Sequence, residues 1–402
     1  MPITSKGKNQ QYVKERNRAL ILKLICTKQC LSRVDIAGKT GLTKMTVTNI
    51  INDLISAGLL KEGAPSDSLT VGRKPIQLLI CEDGAFSVGV YISRDYIKTS
   101  LISLDAKIIK ENEVAIDINE TAESLLCKIL NRIEDIIAGV DKEKIFGIGV
   151  AVIGPLNIEK GILLDPTDFH NIKNLKLKEF IESKTGFYVT VNNDMNAAAL
   201  AELLYGKGRG KTNFVYLGIT NGIGSGIITN GYLYIGEEGF GGEIGHTTIN
   251  FNGPVCNCGN KGCLEAYISI PIIIKKAREY IDAGQVTLLK DIPNFTFKDI
   301  ALCAENNDLF CTTLMNSTSN YIALALINAI NILDSDSIYI GHDGALGGEL
   351  LTKKIEQIIN KKIFFKYSKY VKVDTSAFGD LSPVIGSGVL ILDELFSGKL
   401  LF

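Results

Sequence analysis

Hydrophobic residues in the first sixty positions recur with helical period. Leu20, Ile21, Leu24 and Ile25 share one face of a helix over 18–25. Ser32-Arg33-Val34-Asp35 has the form of a helix start, a hydroxyl followed three residues later by an acid, and Ile36 and Ala37 continue that helix until Gly41. Thr43 then caps a third helix, in which Val47, Ile50, Ile51, Leu54 and Ile55 repeat at i, i+3, i+4, i+7 and i+8. Gly58 follows where a helix C-terminal glycine belongs. Two short helices joined by a glycine turn, the second more strongly periodic, predict a helix-turn-helix. Leu59 and Leu60 lead into polar residues 61–70, then Val71-Gly72-Arg73-Lys74-Pro75 and the apolar run 76–80. That pattern predicts a two-stranded wing.

Beyond Phe86 the pattern changes to short apolar runs alternating with amphipathic stretches. Residues 86–92 and 98–104 read as a hairpin, 122–137 as an amphipathic helix, and 145–152 as a buried strand ending at Gly154-Pro155. Residues 190–192 close another strand before an Ala-rich helix over 196–205. The sequence then begins again with strands at 214–219 and 226–229, a long loop, further helices, a strand at 338–340 and a final helix over 384–395. Two successive runs of this kind predict two α/β lobes with a cleft between them.

Composition adds to this in one respect. The chain has 402 residues and a net charge of −1, but residues 1–75 hold 13 basic and 5 acidic side chains, net +8, and the other 327 hold 30 and 39, net −9. A basic head on an acidic body suits a polyanion. Lys44, Thr46, Thr48 and Asn49 face outward at the start of the third helix, the end that enters the major groove in this motif. Arg73 and Lys74 on the wing are placed for phosphate or minor-groove contact. The alternatives are a protein-binding three-helix module and, for the wing, a basic linker. No apolar run nears the ~18 residues of a membrane helix, and residues 1–6 lack a signal-peptide core, so a cytoplasmic protein without membrane contact is expected.

One loop carries metal chemistry. His246 is followed by Cys256, Cys258 and Cys263. Three thiols and one imidazole match a closed tetrahedral Zn²⁺ shell, and the intervening glycines let the backbone wrap the ion. With four protein donors no position stays open for water, which predicts a structural role. A reversible disulfide between two of the cysteines is the alternative.

The segment from His246 to Glu265 closely resembles the signature of the ROK family (repressors, open reading frames, kinases). Asn192-Asn193-Asp194-Met195-Asn196, Gly222-Ile223-Gly224-Ser225-Gly226 and Gly242-Glu243-Ile244-Gly245-His246 are similar too. The resemblance spans 83–402, and the winged head matches the repressor branch. It implies a two-lobed actin-like, ribonuclease H-like sugar-kinase fold, divided as a head over 1–80 and a body over 81–402. Within the body, 81–195 with 383–402 would form one lobe and 196–382 the other. It further implies a monosaccharide held by Asn193, Asp194, Glu243, His246 and Glu265, and zinc that pre-shapes this site. Read individually, Glu243 and Glu265 are cap or surface carboxylates and Asp194 a helix N-cap.

In the family's kinases the aspartate matching Asp194 takes the proton of the attacking hydroxyl. Of the three nucleotide elements, the second phosphate loop, Thr220-Asn221-Gly222-Ile223-Gly224-Ser225-Gly226, is better preserved, and the other two differ here. An Asp-x-Gly-Gly-Thr hairpin corresponds to Tyr91-Ile92-Ser93-Arg94-Asp95, which puts side chains where backbone would approach phosphate, and Ile340-Gly341-His342-Asp343-Gly344 lacks the later glycine run. His342 reads as a turn residue, and His170 carries no signal. The expectation is a non-enzymatic, sugar-responsive repressor of carbohydrate-utilisation genes. It would bind double-stranded operator DNA as a homodimer, or as a tetramer formed by two dimers. The rivals are an ATP-dependent sugar kinase with Asp194 as base and a zinc sensor.

Overall fold

The structure is a computed structural model that describes residues 10–65, 74–166 and 169–400. Three helices open the described residues: α1 (Gln10–Cys26), α2 (Arg33–Thr40) and α3 (Lys44–Ser56). α1 starts well before the apolar stretch that signals it, because its first turns are held by polar i,i+4 pairs, Gln11 to Glu15 at 3.1 Å and Arg16 to the Tyr12 hydroxyl at 3.3 Å. Ser32 caps α2 and Thr43 caps α3, each accepting a backbone N–H three residues on. Gly41 ends α2 at a φ of 71°, a left-handed conformation that a β-carbon would strain. Ile36, Val47, Ile51 and Leu54 are buried between the helices. β1 (Leu60–Pro65) pairs antiparallel with β2 (Ile76–Ile80), Leu60 opposite Ile80, which makes the wing. The tip, with Arg73, lies outside the described residues.

The body repeats one topology twice. β3 (Phe86–Ile92), β4 (Tyr96–Ser103) and β5 (Ile108–Ala115) form an antiparallel meander. α4 (Ala122–Ile137) leads to β6 (Ile145–Val152), parallel to β3. Three two-residue strands, β7 (Leu156–Asn157), β8 (Ile162–Leu163) and β9 (Leu175–Lys176), make a small separate sheet. α5 (Leu177–Thr185) and β10 (Val189–Asn193) complete the order β10-β6-β3-β4-β5, and α6 (Asp194–Tyr205) follows. The second sheet starts with the meander β11 (Phe214–Ile219), β12 (Ile223–Thr229) and β13 (Tyr232–Tyr234). Four helices follow, α7 (Glu265–Ile268), α8 (Ile270–Asp282), α9 (Phe297–Glu305) and α10 (Leu309–Leu333). β14 (Ser337–Gly341), α11 (Gly348–Lys362) and β15 (Lys372–Thr375) then give the order β13-β12-β11-β14-β15, and α12 (Ser382–Phe396) closes the chain.

The helix after each sheet crosses to the other. α6 lies on β11 and β12, whereas α12 lies on β3 and β6, and the two helices pack along one another. Gly386 brings α12 against the α6 backbone: a β-carbon there would fall 2.5 Å from the Ala197 carbonyl carbon. Asp194, the first residue of α6, is thereby set between the two sheets. Among the described residues no helix is long and apolar enough to cross a membrane.

Candidate functional site

The long loop after β13 folds on two isolated bridges, Thr248 with Cys263 and Val255 with Lys261. These bring the donor atoms of His246, Cys256, Cys258 and Cys263 within 4.8 Å of one another. The His246 Nδ1 and Cys256 Sγ stand 3.7 Å apart, as do the Cys258 and Cys263 sulfurs. Ligands about 2.3 Å from a tetrahedral ion lie roughly 3.8 Å from each other, so the spacing suits a single cation. It is far beyond the ~2.05 Å of a disulfide, and all nine cysteines are free. Two of the four donors are buried, Cys256 and Cys263.

The same loop is laid on β12. A β-carbon at Gly242 would meet the Ser225 carbonyl at 2.5 Å, and one at Gly245 would fall on the Ile223 carbonyl. Glu243 and His246 are therefore fixed beside β12. Glu265, two residues past the last cysteine, accepts the Ile223 N–H at 2.9 Å. Its carboxylate crosses directly over Gly222, where a β-carbon would stand 2.8 Å from Oε2.

Asp194 comes from the opposite wall. It is 4% exposed, and its Oδ1 accepts the Met195 N–H at 3.0 Å. Burial lifts its carboxyl to a pKa of about 6, the Met195 N–H works against this, and the charge of Glu243 adds to it. Desolvation likewise raises Glu243, with His246 opposing and Glu265 reinforcing. Asp194, Glu243, His246 and Glu265 thus share one electrostatic environment. The N-cap of α6 is Asn193, whose Oδ1 accepts the Met195 N–H at 2.9 Å. Asn193 therefore offers its amide nitrogen, and the cap role read as the alternative for Asp194 belongs to its neighbour.

In the head, Lys44 and Asn49 are exposed on the first turns of α3, while Thr46 and Thr48 are half-buried. The Thr46 hydroxyl pairs with the Thr43 cap at 2.9 Å. Lys74 is exposed at the foot of β2. The same face carries Met45, 76% exposed at the second position of α3. Met45 falls outside the i, i+3, i+4 stripe of α3, and that was the signal available in the sequence. Arg33 joins the wing to α2 through Glu62 at 2.6 Å.

A model of the ROK family matches residues 87–394. The chain belongs to the ROK family. A model of winged helix-turn-helix DNA-binding domains matches residues 15–61. The xylose repressor of Caldicellulosiruptor bescii is 30% identical over 397 residues, covering 97% of this chain and 98% of that protein. The crystal structure of a ROK family transcriptional regulator, a homologue of the Escherichia coli Mlc protein, superposes with a TM-score of 0.80 at 29% identity, over 96% and 97% of the two chains. The glucokinase of Thermotoga maritima is 28% identical over 312 residues, covering 77% of this chain and 98% of that enzyme. The repressor likeness runs through head and body, and the kinase likeness leaves almost a quarter of the chain unmatched.

Side chains fill the turn between β3 and β4. Tyr91 is buried at the end of β3 and meets Tyr96 edge-on at 5.7 Å. The turn between them is closed by Ser93, whose Oγ accepts the N–H groups of Asp95 at 3.2 Å and Tyr96 at 3.0 Å. Asp95 accepts from the Asn221 amide at 3.3 Å, which ties this turn to the one between β11 and β12. His170 bridges the Ile118 and Arg94 carbonyls at 3.2 and 3.1 Å, a structural role without a local sequence signature.

Proposed function

We propose that this ROK protein is a cytoplasmic, sugar-responsive transcriptional repressor. Its winged head holds operator DNA, and a monosaccharide bound between the two sheets releases it. The observation that carries this reading is a helix-turn-helix with outward Lys44 and Asn49, packed on a body in which the 242–246 loop and Glu265 are laid on β12 and the charge of Glu243 acts on the buried Asp194. We divide the chain into a head over 1–80 and a body over 81–402, with 383–402 joined to the lobe of 81–195 and 196–382 as the other lobe. Lys44, Thr46, Thr48, Asn49, Arg73 and Lys74 contact DNA. Asn193, Asp194, Glu243, His246 and Glu265 hold sugar hydroxyls, whose paired donors and acceptors suit amides and carboxylates. Zn²⁺ fits the His-Cys₃ set; with Nδ1 of His246 turned to the sulfurs, Nε2 is left for sugar, so metal binding orients a sugar ligand. The protein acts as a homodimer on a palindromic operator. Release requires the sugar to bind the DNA-incompetent conformation more tightly; equal affinity would shift nothing.

The test is fluorescence anisotropy of the full chain on DNA from its own upstream region, titrated with xylose, glucose, N-acetylglucosamine and their phosphates. Release by one sugar without ATP is expected. Tight binding that no sugar changes, or no binding at low salt, would count against the reading. One observation favours a kinase instead: Asp194, with a pKa near 6, is tuned as a general base would be. Sugar-dependent ADP production abolished by Asp194→Asn would establish that second reading.

A further inference from the structure

His342 opens the stretch that follows β14, with a φ of 54° that suits the turn read from the sequence. Its ring, however, is 3% exposed and points into the body. Nδ1 lies 2.9 Å from the hydroxyl of Tyr216, a buried residue of β11. Two glycines clear the space. A β-carbon at Gly218 would stand 2.9 Å from Nδ1, and one at Gly341 would collide with the Tyr216 hydroxyl. The other ring nitrogen, Nε2, has no protein partner and lies 4.0 Å from Oδ2 of Asp194.

That separation is too long for a direct hydrogen bond and matches a single oxygen between the two atoms, which enters as the site opens because Nε2 is itself closed to solvent. An oxygen about 2.8 Å from each would see them at an angle of roughly 90°, within reach of one donated and one accepted bond. With the Tyr216 hydroxyl as donor to Nδ1, the tautomer taken for this proposal, the proton of the neutral ring sits on Nε2. Burial holds the imidazole neutral, its pKa pushed down to about 3. The pair therefore presents one N–H donor and one carboxylate acceptor, which is what an alcohol requires. A phosphate monoester offers almost only acceptors and a negative charge, and Asp194 opposes it.

We propose that His342 and Asp194 grip one hydroxyl of the monosaccharide, Nε2–H donating to its oxygen while Oδ2 accepts its proton. The inference rests on the effector reading above and makes His342 a specificity-determining residue of that site. Among the sequence-predicted ligands, Asp194 gains a partner 148 positions away in the chain.

Calorimetric titration of the full chain separates the two claims. Wild type is first titrated with xylose, glucose and N-acetylglucosamine, then with each monodeoxy analogue of the sugar that binds. One analogue should bind wild type at least about tenfold more weakly than its parent, the range for a bond to a charged group. His342→Asn tolerates the left-handed backbone but is too short to reach. It should bind the parent about tenfold more weakly and hold parent and analogue within about threefold of each other. His342→Gln, with an amide donor at similar reach, should recover most of the affinity and show that the fold survives change at this position. Wild-type affinity in His342→Asn, or an undiminished penalty for every analogue in that variant, would overturn the proposal with the effector reading intact. So would tighter binding of the sugar phosphate, or indifference of wild type to all analogues, which would make the bridging oxygen a water. Failure of wild type to bind any monosaccharide would remove the effector reading and this proposal together.

Discussion

Replacing Asp194 by Asn should stabilise the protein at neutral pH while abolishing its response to sugar. Burial moves the carboxyl from 3.8 to a pKa of about 6. Below pH 3.8 the group is protonated in folded and unfolded chains alike and costs nothing. As pH rises toward 6 the unfolded chain releases its proton first, so stability falls; above 6 the penalty is constant. A shift of about two units at ~1.36 kcal/mol each puts that penalty near 3 kcal/mol at pH 8 and about 1 kcal/mol at pH 4.5. Asn keeps a side-chain oxygen for the Met195 N–H that Asp194 now serves at 3.0 Å, so the α6 terminus is preserved and the charge alone is removed. Urea unfolding of wild type and variant, without sugar, measures the difference. The variant's advantage should widen by about 2 kcal/mol between pH 4.5 and 8. A gap that does not change with pH, or a variant less stable at pH 8, would refute the view that Asp194 is a buried charge maintained for binding.

Further outcomes follow from the same geometry. Cys258→Ser should lose bound zinc, measured by elemental analysis, and with it the sugar-induced release from DNA; a normal response in metal-free protein would argue against the loop as scaffold. Gly222→Ala places a methyl group against Oε2 of Glu265. It should weaken sugar binding about tenfold with DNA affinity unchanged, since one bond to a charged group is disturbed; equal sugar affinity would take Glu265 out of the site. Lys74→Ala should lower the slope of log affinity against log salt by about 0.9, the loss of one phosphate contact; an unchanged slope would remove the foot of the wing from the DNA surface.

The head was almost fully legible because each of its signals is local. Ser32, Thr43 and Gly41 act within three residues of themselves, and a stripe such as Val47-Ile50-Ile51-Leu54 needs no knowledge of what it packs on. The metal loop was equally legible, its four donors falling within eighteen residues. Edge strand β5 was not. Its Lys110, Glu111 and Glu113 face solvent and break the apolar run that marks its neighbours β3 and β4. Residues that meet only through the fold were the hardest. Read alone, His342 was a turn, and the turn is there; what it faces depends on β11, β14 and α6 converging. Asn193 and Asp194 exchanged cap and first-turn positions for a similar reason, since N-cap preference does not distinguish two adjacent polar residues.

The seam between head and body has an evolutionary consequence. Ile21, Leu24 and Ile25 of α1 belong to the same apolar cluster as Leu392, Leu395 and Phe396 of α12 and Leu200 and Leu204 of α6. Arg209 adds a bond to the Thr27 carbonyl at 3.4 Å. A ROK protein without a head would bare to water the part of this apolar cluster that α1 covers. Gaining or shedding the head is thus more than a fusion or a cut at one residue, because the end of α12 and the flank of α6 must be repainted at the same time. Lineages that crossed between enzyme and regulator should carry the trace of that exchange at positions 200, 204, 392, 395 and 396.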